Sequence, residues 1–201
     1  MRSYTVQKIT GTPDWNAIAV MPIDNHQWKE PVDITAQTQV CWDAEALYIR
    51  QVAKEANIRA EQEGTLAMPC VDSCLEFFFR PAERLDYINF ELNPKCALYL
   101  GYGSKATGLI RLLPREVGKL FAPKATLTDD GWELTYKIPF AFIRQFFPEI
   151  VPEEGLKFCA NTYKCGDSTV KPHYMSWNYI DLEKPNFHCP EHFGELILGD
   201  E

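Results

Sequence analysis

The stretch of residues 72–93, DSCLEFFFRPAERLDYINFELN, constrains the fold most, because two alternating runs flank a break that contains a proline. Side chains of a strand alternate between two faces, so each run predicts a strand, and residues 80–84 predict the loop of a hairpin. One face of this hairpin is apolar and carries Leu75, Phe77, Phe79, Ile88, Phe90 and Leu92. The other face carries carboxylates and amides, among them Glu76, Asn89 and Glu91. The pattern predicts a sheet with a core behind it and hydrogen-bonding groups in front.

The rest of the chain repeats this kind of pattern in shorter pieces. Further predicted strands, several of them paired in hairpins, lie at residues 37–43, 47–54, 96–102, 109–113, 124–128, 132–138, 156–164 and 194–198. The dense apolar residues 140–147, between two prolines, predict one short helix. About a dozen short strands with a single helix are typical of a β-sandwich. We therefore predict one all-β domain over residues 1–201, an antiparallel sandwich of the immunoglobulin-like or jelly-roll-like kind.

Composition argues against several classes of partner. The formal net charge of −8 argues against nucleic acid, because phosphate binding requires clustered Lys and Arg side chains. No apolar run reaches about 18 residues, so we expect no transmembrane helix and no membrane partner. Residues 1–10 lack the apolar segment of a secretory signal, which predicts a cytoplasmic protein, or a secreted one if a leader has been removed. The seven cysteines show no disulfide-framework spacing and are predicted to be free thiols.

Catalytic and cofactor sites have weaker support in the sequence. There is no Gly-x-Ser-x-Gly motif, but the paired carboxylates Glu76 and Glu91 leave a small sugar-processing hydrolase as an alternative. His173 and Met175 are candidate axial ligands by residue type alone, which leaves a haem-binding domain as another alternative. The spacing of cysteines and histidines matches neither common zinc pattern. We expect no cofactor and no metal ligands, with a structural Ca²⁺ as the alternative.

A carbohydrate-binding surface is the interpretation that remains. Asn89, Glu91, Asn161 and Tyr163 project from the polar side of predicted strands, and Trp177 follows in an irregular segment. Sugars require such a mixture, because amides and carboxylates pair with hydroxyl groups while an indole packs against the apolar face of the ring. A solvated polar face with the tryptophan in the core is the alternative, and the pattern alone does not decide between the two.

The chain resembles the family 9 carbohydrate-binding modules, in particular the branch whose β-sandwich is related to DOMON domains. The matching stretches follow the family order from about Cys41 to Leu198 and read CWDAEALYIRQV, VDSCLEFFFRP, YINFELNP, DGWELTYKIPF, FCANTYKCGD, YMSWNYI and NFHCPEHFGELIL. The resemblance implies a non-catalytic module that binds mono- or oligosaccharides. It places Asn89 and Glu91 among the polar contacts and Trp177 at the position of one stacking tryptophan.

The chain departs from this family at the second stacking tryptophan, which is expected just before Asp72. Residues 68–71 are Met-Pro-Cys-Val instead, so one aromatic wall of the site is missing or replaced. Modules of this kind usually accompany a catalytic domain, and the resemblance therefore also implies association with a glycoside hydrolase.

Overall fold

The computed structural model describes residues 1–64 and 66–200, and most of its regular structure is β-strand. The strands are β1 Ser3–Lys8, β2 Met21–Ile23, β3 Asn25–His26, β4 Thr35–Trp42, β5 Ala46–Lys54, β6 Cys74–Pro81, β7 Tyr87–Leu92, β8 Leu98–Ser104, β9 Gly108–Leu112, β10 Lys124–Thr128, β11 Gly131–Pro139, β12 Lys157–Cys165, β13 Tyr174–Ser176 and β14 Gly194–Leu198. The α-helices are α1 Val117–Phe121 and α2 Phe140–Ile143, and 3-10 turns occur at Pro69–Val71 and Pro190–His192. Within the described residues, no helix is long and apolar enough to cross a membrane.

The strands form one curled sheet that folds into two layers at β1. The strand order is β10-β11-β5-β4-β1-β14-β12-β6-β7-β8-β9, with β2 beside β4 and β13 between β12 and β3. Residues 3–6 of β1 pair with β14 and its last two residues pair with β4, so this strand belongs to both layers. The front layer contains β14, β12, β6, β7, β8 and β9, and the back layer contains β4, β5, β11 and β10. Phe90 of the front layer stacks on Tyr136 of the back layer, with 5.7 Å between the ring centroids. The main core therefore lies between the layers.

The predicted β-sandwich and most of its strands are confirmed, and the structure corrects two details of the prediction. The sandwich is not purely antiparallel, because β1 runs parallel to both β14 and β4. Parallel neighbours require connections longer than a hairpin, which local strand patterns do not reveal. The predicted loop at residues 114–123 contains a second helix, α1, and its Phe121 packs edge-on against Phe90 and Phe142 in the core.

The alternation along β6 separates two apolar clusters. Leu75, Phe77 and Phe79 point into the core between the layers. Phe78 points to the outer side of the front layer, where it lies in a second cluster with Tyr87, Tyr163, Ile180, Cys189 and Phe193. The last three of these residues belong to the segment of residues 177–193, called the covering segment below. It therefore covers part of the polar face that the sequence predicts to be open.

Candidate functional site

A cleft of about 300 Å³ opens on the outer side of the front layer, beside the covering segment. Its floor contains Glu76 of β6, Glu91 of β7 and Cys165 of β12. Its walls include Tyr99 of β8 and Phe187 of the covering segment. This volume lies at the lower end of the range for small-molecule sites. The cleft is therefore large enough for a small polar ligand.

The two floor carboxylates are nearly buried and lie directly opposite each other in the pairing of β6 with β7. Cys165 Sγ donates to Glu76 Oε1 at 3.0 Å, and Asn89 Nδ2 donates to Glu91 Oε1 at 2.9 Å. Burial raises the pKa of both carboxyls, and repulsion by Glu76 raises the pKa of Glu91 further. A carboxyl held in its protonated form can donate as well as accept hydrogen bonds, and its ionised neighbour accepts. The pair therefore suits hydroxyl groups, which also do both.

The aromatic walls of the cleft contact neighbouring side chains that hold them in place. Tyr99 lies directly opposite Glu91 in the pairing of β7 with β8, and the Arg111 guanidinium lies 4.5 Å from its ring centroid. Phe187 stacks on Tyr163, with 4.1 Å between the ring centroids and 7° between the planes. Rings fixed in this way lose little conformational freedom when an apolar ligand face packs on them.

The five residues predicted for the site have different positions. Glu91 lines the cleft, and Asn89 lies behind it as its hydrogen-bond donor. Asn161 is fully buried, where its amide bonds the backbone N–H and the carbonyl of Asn178 at 2.9 Å each. The Tyr163 hydroxyl donates to the Phe187 carbonyl at 3.2 Å. The last two side chains therefore hold the covering segment in place.

The structure contradicts the prediction that Trp177 is a stacking platform. Its side chain is only 3% exposed and belongs to the core between the layers, as does that of Met175. Trp177 N–H donates to the Thr162 carbonyl, so the chain continues alongside β12 after β13 and alternate residues keep pointing inward. Because residues 166–190 have little regularity as a whole, the short alternation in Tyr-Met-Ser-Trp gives only a weak strand signal in the sequence.

Several lining residues were not predicted. Tyr99 could have been found from strand register, because it stands opposite Glu91. Tyr174 lies in β13 and alternates with the buried Met175. Phe187 and His188 lie in the covering segment, where no periodicity indicates their positions. Met68 also lines the cleft, from the stretch where the family resemblance places the second tryptophan.

The two candidate haem ligands, His173 and Met175, have other roles in the structure. His173 Nε2 lies 2.8 Å from Lys164 Nζ, and its Nδ1 lies 2.8 Å from the Lys171 carbonyl oxygen. Met175 is buried in the main core. Neither side chain is therefore available in this fold as an axial ligand.

A larger groove of about 530 Å³ lies beside the start of β8 and the end of β9. Its described lining is largely aliphatic and includes Leu98, Leu112 and Val117, while its charged residues Glu63 and Lys95 pair with each other. Sugar sites need hydroxyl partners together with flat apolar surfaces. The smaller cleft has both, and it is the stronger candidate despite its volume.

Comparison with known proteins identifies the family. The model of carbohydrate-binding family 9 matches residues 9–198, and the chain therefore belongs to this family. Family membership therefore gives carbohydrate binding as the function of the chain. A search of curated proteins found no match.

Solved structures have the same fold. A protein from Bacteroides uniformis ATCC 8492, described as carbohydrate-binding, is 29% identical, with a TM-score of 0.85 over 98% of this chain and 99% of that chain. A family 9 module from Caldicellulosiruptor kristjanssonii in complex with cellotriose is 13% identical, with a TM-score of 0.67 over 100% of this chain and 95% of that chain. A family 9 module from the same organism in complex with glucose is 14% identical, with a TM-score of 0.69 over 100% and 97%.

Proposed function

We propose that the chain binds a mono- or short oligosaccharide in the cleft over Glu76 and Glu91 and does not cleave it. The observation that carries this proposal is the buried carboxyl pair beside the rings of Tyr99 and Phe187. The pair supplies both donors and acceptors for hydroxyl groups, and the rings supply apolar surface for the C–H face of a sugar. Family 9 membership supports the same ligand class.

The volume of the cleft bears on the size of the ligand. About 300 Å³ is near the lower limit for small-molecule sites, so we expect one or two sugar units to be enclosed. Glucose and cellotriose are the first ligands to test, because family 9 modules of similar fold were solved in complex with them. The specificity of this chain is expected to depend on its own wall residues, Tyr99, Phe187 and Met68.

The arrangement of the carboxylates favours binding over hydrolysis. Glu76 and Glu91 project from neighbouring strands, on the same side of one sheet. In glycosidases the two carboxyl groups flank the scissile bond, so that a proton donor and a nucleophile or base reach it separately. Two side chains under the same part of a ligand do not supply that geometry. We therefore expect no turnover of aryl glycosides.

Isothermal titration calorimetry with glucose and cellotriose tests the proposal. Glu91→Leu replaces the hydrogen-bonding group with an apolar side chain of similar bulk, and it is expected to weaken binding at least about tenfold. Glu91→Gln keeps a donor and an acceptor and is expected to bind within about threefold of the parent. Phe187→Leu removes the flat ring and is also expected to weaken binding.

Matched controls separate local from global effects. Tyr179→Leu alters a 59% exposed ring of the covering segment outside the cleft lining, and it is expected to leave affinity unchanged. Undiminished binding in both Glu91→Leu and Phe187→Leu would refute the assignment of the site. Release of the aryl group from an aryl glycoside would refute the absence of catalysis.

A further inference from the structure

Two cysteines and a glutamate meet at the floor of the cleft. Cys74 and Cys165 lie directly opposite each other in the pairing of β6 with β12, and Glu76 follows Cys74 by two residues on the same face. The two Sγ atoms and a carboxylate oxygen of Glu76 all lie within 4.8 Å of one another, and all three residues are buried. The cysteines are far apart in sequence, so spacing motifs could not indicate this cluster.

The residue types and separations suit a metal ion. Zinc prefers thiolate, imidazole and carboxylate ligands, and Zn–S bonds of about 2.3 Å place two sulfurs of a tetrahedral site about 3.8 Å apart. Cys165 Sγ and Glu76 Oε1 are already 3.0 Å apart, so small rotations complete the geometry. We propose that Cys74, Cys165 and Glu76 bind a thiophilic divalent cation, with zinc as the expected ion.

Charge and access support the same site. The Cys165 thiol that donates to Glu76 is a neutral group, and Lys164, a cation that acts on Glu76, is paired with Glu55 at 3.2 Å. A divalent cation compensates the negative charge that two thiolates and a carboxylate concentrate in a buried position. Glu76 and Cys165 line the cleft, so the ion enters from solvent and the fourth coordination position faces the cleft. Binding releases the thiol protons to water.

Titration of the reduced, metal-free protein with Co²⁺ tests this site without any sugar. Thiolate ligation gives a sulfur-to-cobalt charge-transfer band in the near ultraviolet, and tetrahedral geometry gives intense d–d bands in the visible range. We expect both to saturate at one ion per chain and to disappear when Zn²⁺ is added in excess. Cys165→Ser and Cys74→Ala are expected to lose the bands, and Glu76→Gln to weaken Co²⁺ binding at least tenfold.

The remaining thiols provide matched controls. Cys96→Ser and Cys159→Ser change cysteines outside the cluster and are expected to keep the full spectrum. Circular dichroism of each variant verifies folding, and Cys165→Ser carries the test if Cys74→Ala does not fold. Absence of the charge-transfer band in the parent, or its persistence in folded Cys165→Ser, would overturn the proposal. Because no sugar is present, either result leaves the proposed carbohydrate site to be tested separately.

Discussion

Protonation of His173 is expected to destabilise the fold below neutral pH. Its Nε2 lies 2.8 Å from Lys164 Nζ, and its Nδ1 lies 2.8 Å from the Lys171 carbonyl oxygen. A lysine ammonium can only donate, so Nε2 must accept and the neutral ring must carry its proton on Nδ1. A second ring proton would place two cations against each other in a buried position. Burial, followed by repulsion from Lys164, lowers the pKa of His173 from 6.5 to about 4.

The sign and size of the effect follow from this pKa. Between pH 6.5 and about 4 the unfolded chain binds the proton and the folded chain does not. The contribution of His173 is therefore fully present above pH 6.5 and is lost as the pH falls through this window. The difference between 6.5 and about 4, at about 1.4 kcal/mol for each pKa unit, corresponds to about 3 kcal/mol.

Urea denaturation at several pH values between about 7.5 and 4.5 measures the free energy of unfolding across this window. His173→Gln keeps an acceptor for Lys164 but does not titrate, so its stability is expected to fall less on acidification, by about 2 to 3 kcal/mol. His192→Gln is the matched control and is expected to follow the parent. Carboxyls with raised pKa values, such as Glu76 and Asp167, oppose the trend equally in parent and variants. Parallel pH profiles for parent and His173→Gln would refute the reasoning.

Three further predictions follow from buried contacts. Trp177→Ala is expected to cost about 3–5 kcal/mol of unfolding free energy, since its indole fills the core, and chemical denaturation showing a loss below about 1 kcal/mol would contradict that position. Gly101→Ala is expected to weaken sugar binding in calorimetry, because a Cβ there would overlap Asn89 Oδ1 and displace the Asn89 amide from Glu91. Unchanged affinity in the folded variant would argue against a role of Asn89 in positioning Glu91. Gln51→Leu leaves the Glu76 carbonyl and neighbouring threonine hydroxyls with fewer donors, so it is expected to reduce the free energy of unfolding by about 1–3 kcal/mol and to lower the melting temperature. An unchanged melting temperature would contradict this expectation.

Local alternation predicts the strands and one part of the site. In β6 and β7 every second residue is apolar, and the structure buries Phe77 and Phe90 between the layers as expected. The same period places Glu76 and Glu91 together on the opposite face. These results required only that side chains alternate and that the hairpin closes at residues 80–84.

The residues that complete the cleft could not be predicted in the same way. Phe187 reaches the site from a segment without periodicity. Its position depends on stacking against Tyr163, a contact between residues that are far apart in the sequence. The sequence does not fix the position of Trp177, because a lone tryptophan in polar surroundings fits a platform as well as a core residue. Only its pairing alongside β12 distinguishes the two, and such pairing is a long-range contact.

Amide chemical-shift mapping during titration with cellotriose tests the location of the binding site most directly. We expect the shifts to concentrate at Glu91, Tyr99, Cys165 and Phe187, and to be smaller in Phe187→Leu at the same sugar concentration. Shifts concentrated instead at Leu112, Leu113 and Val117, in the larger groove, would contradict this location of the site.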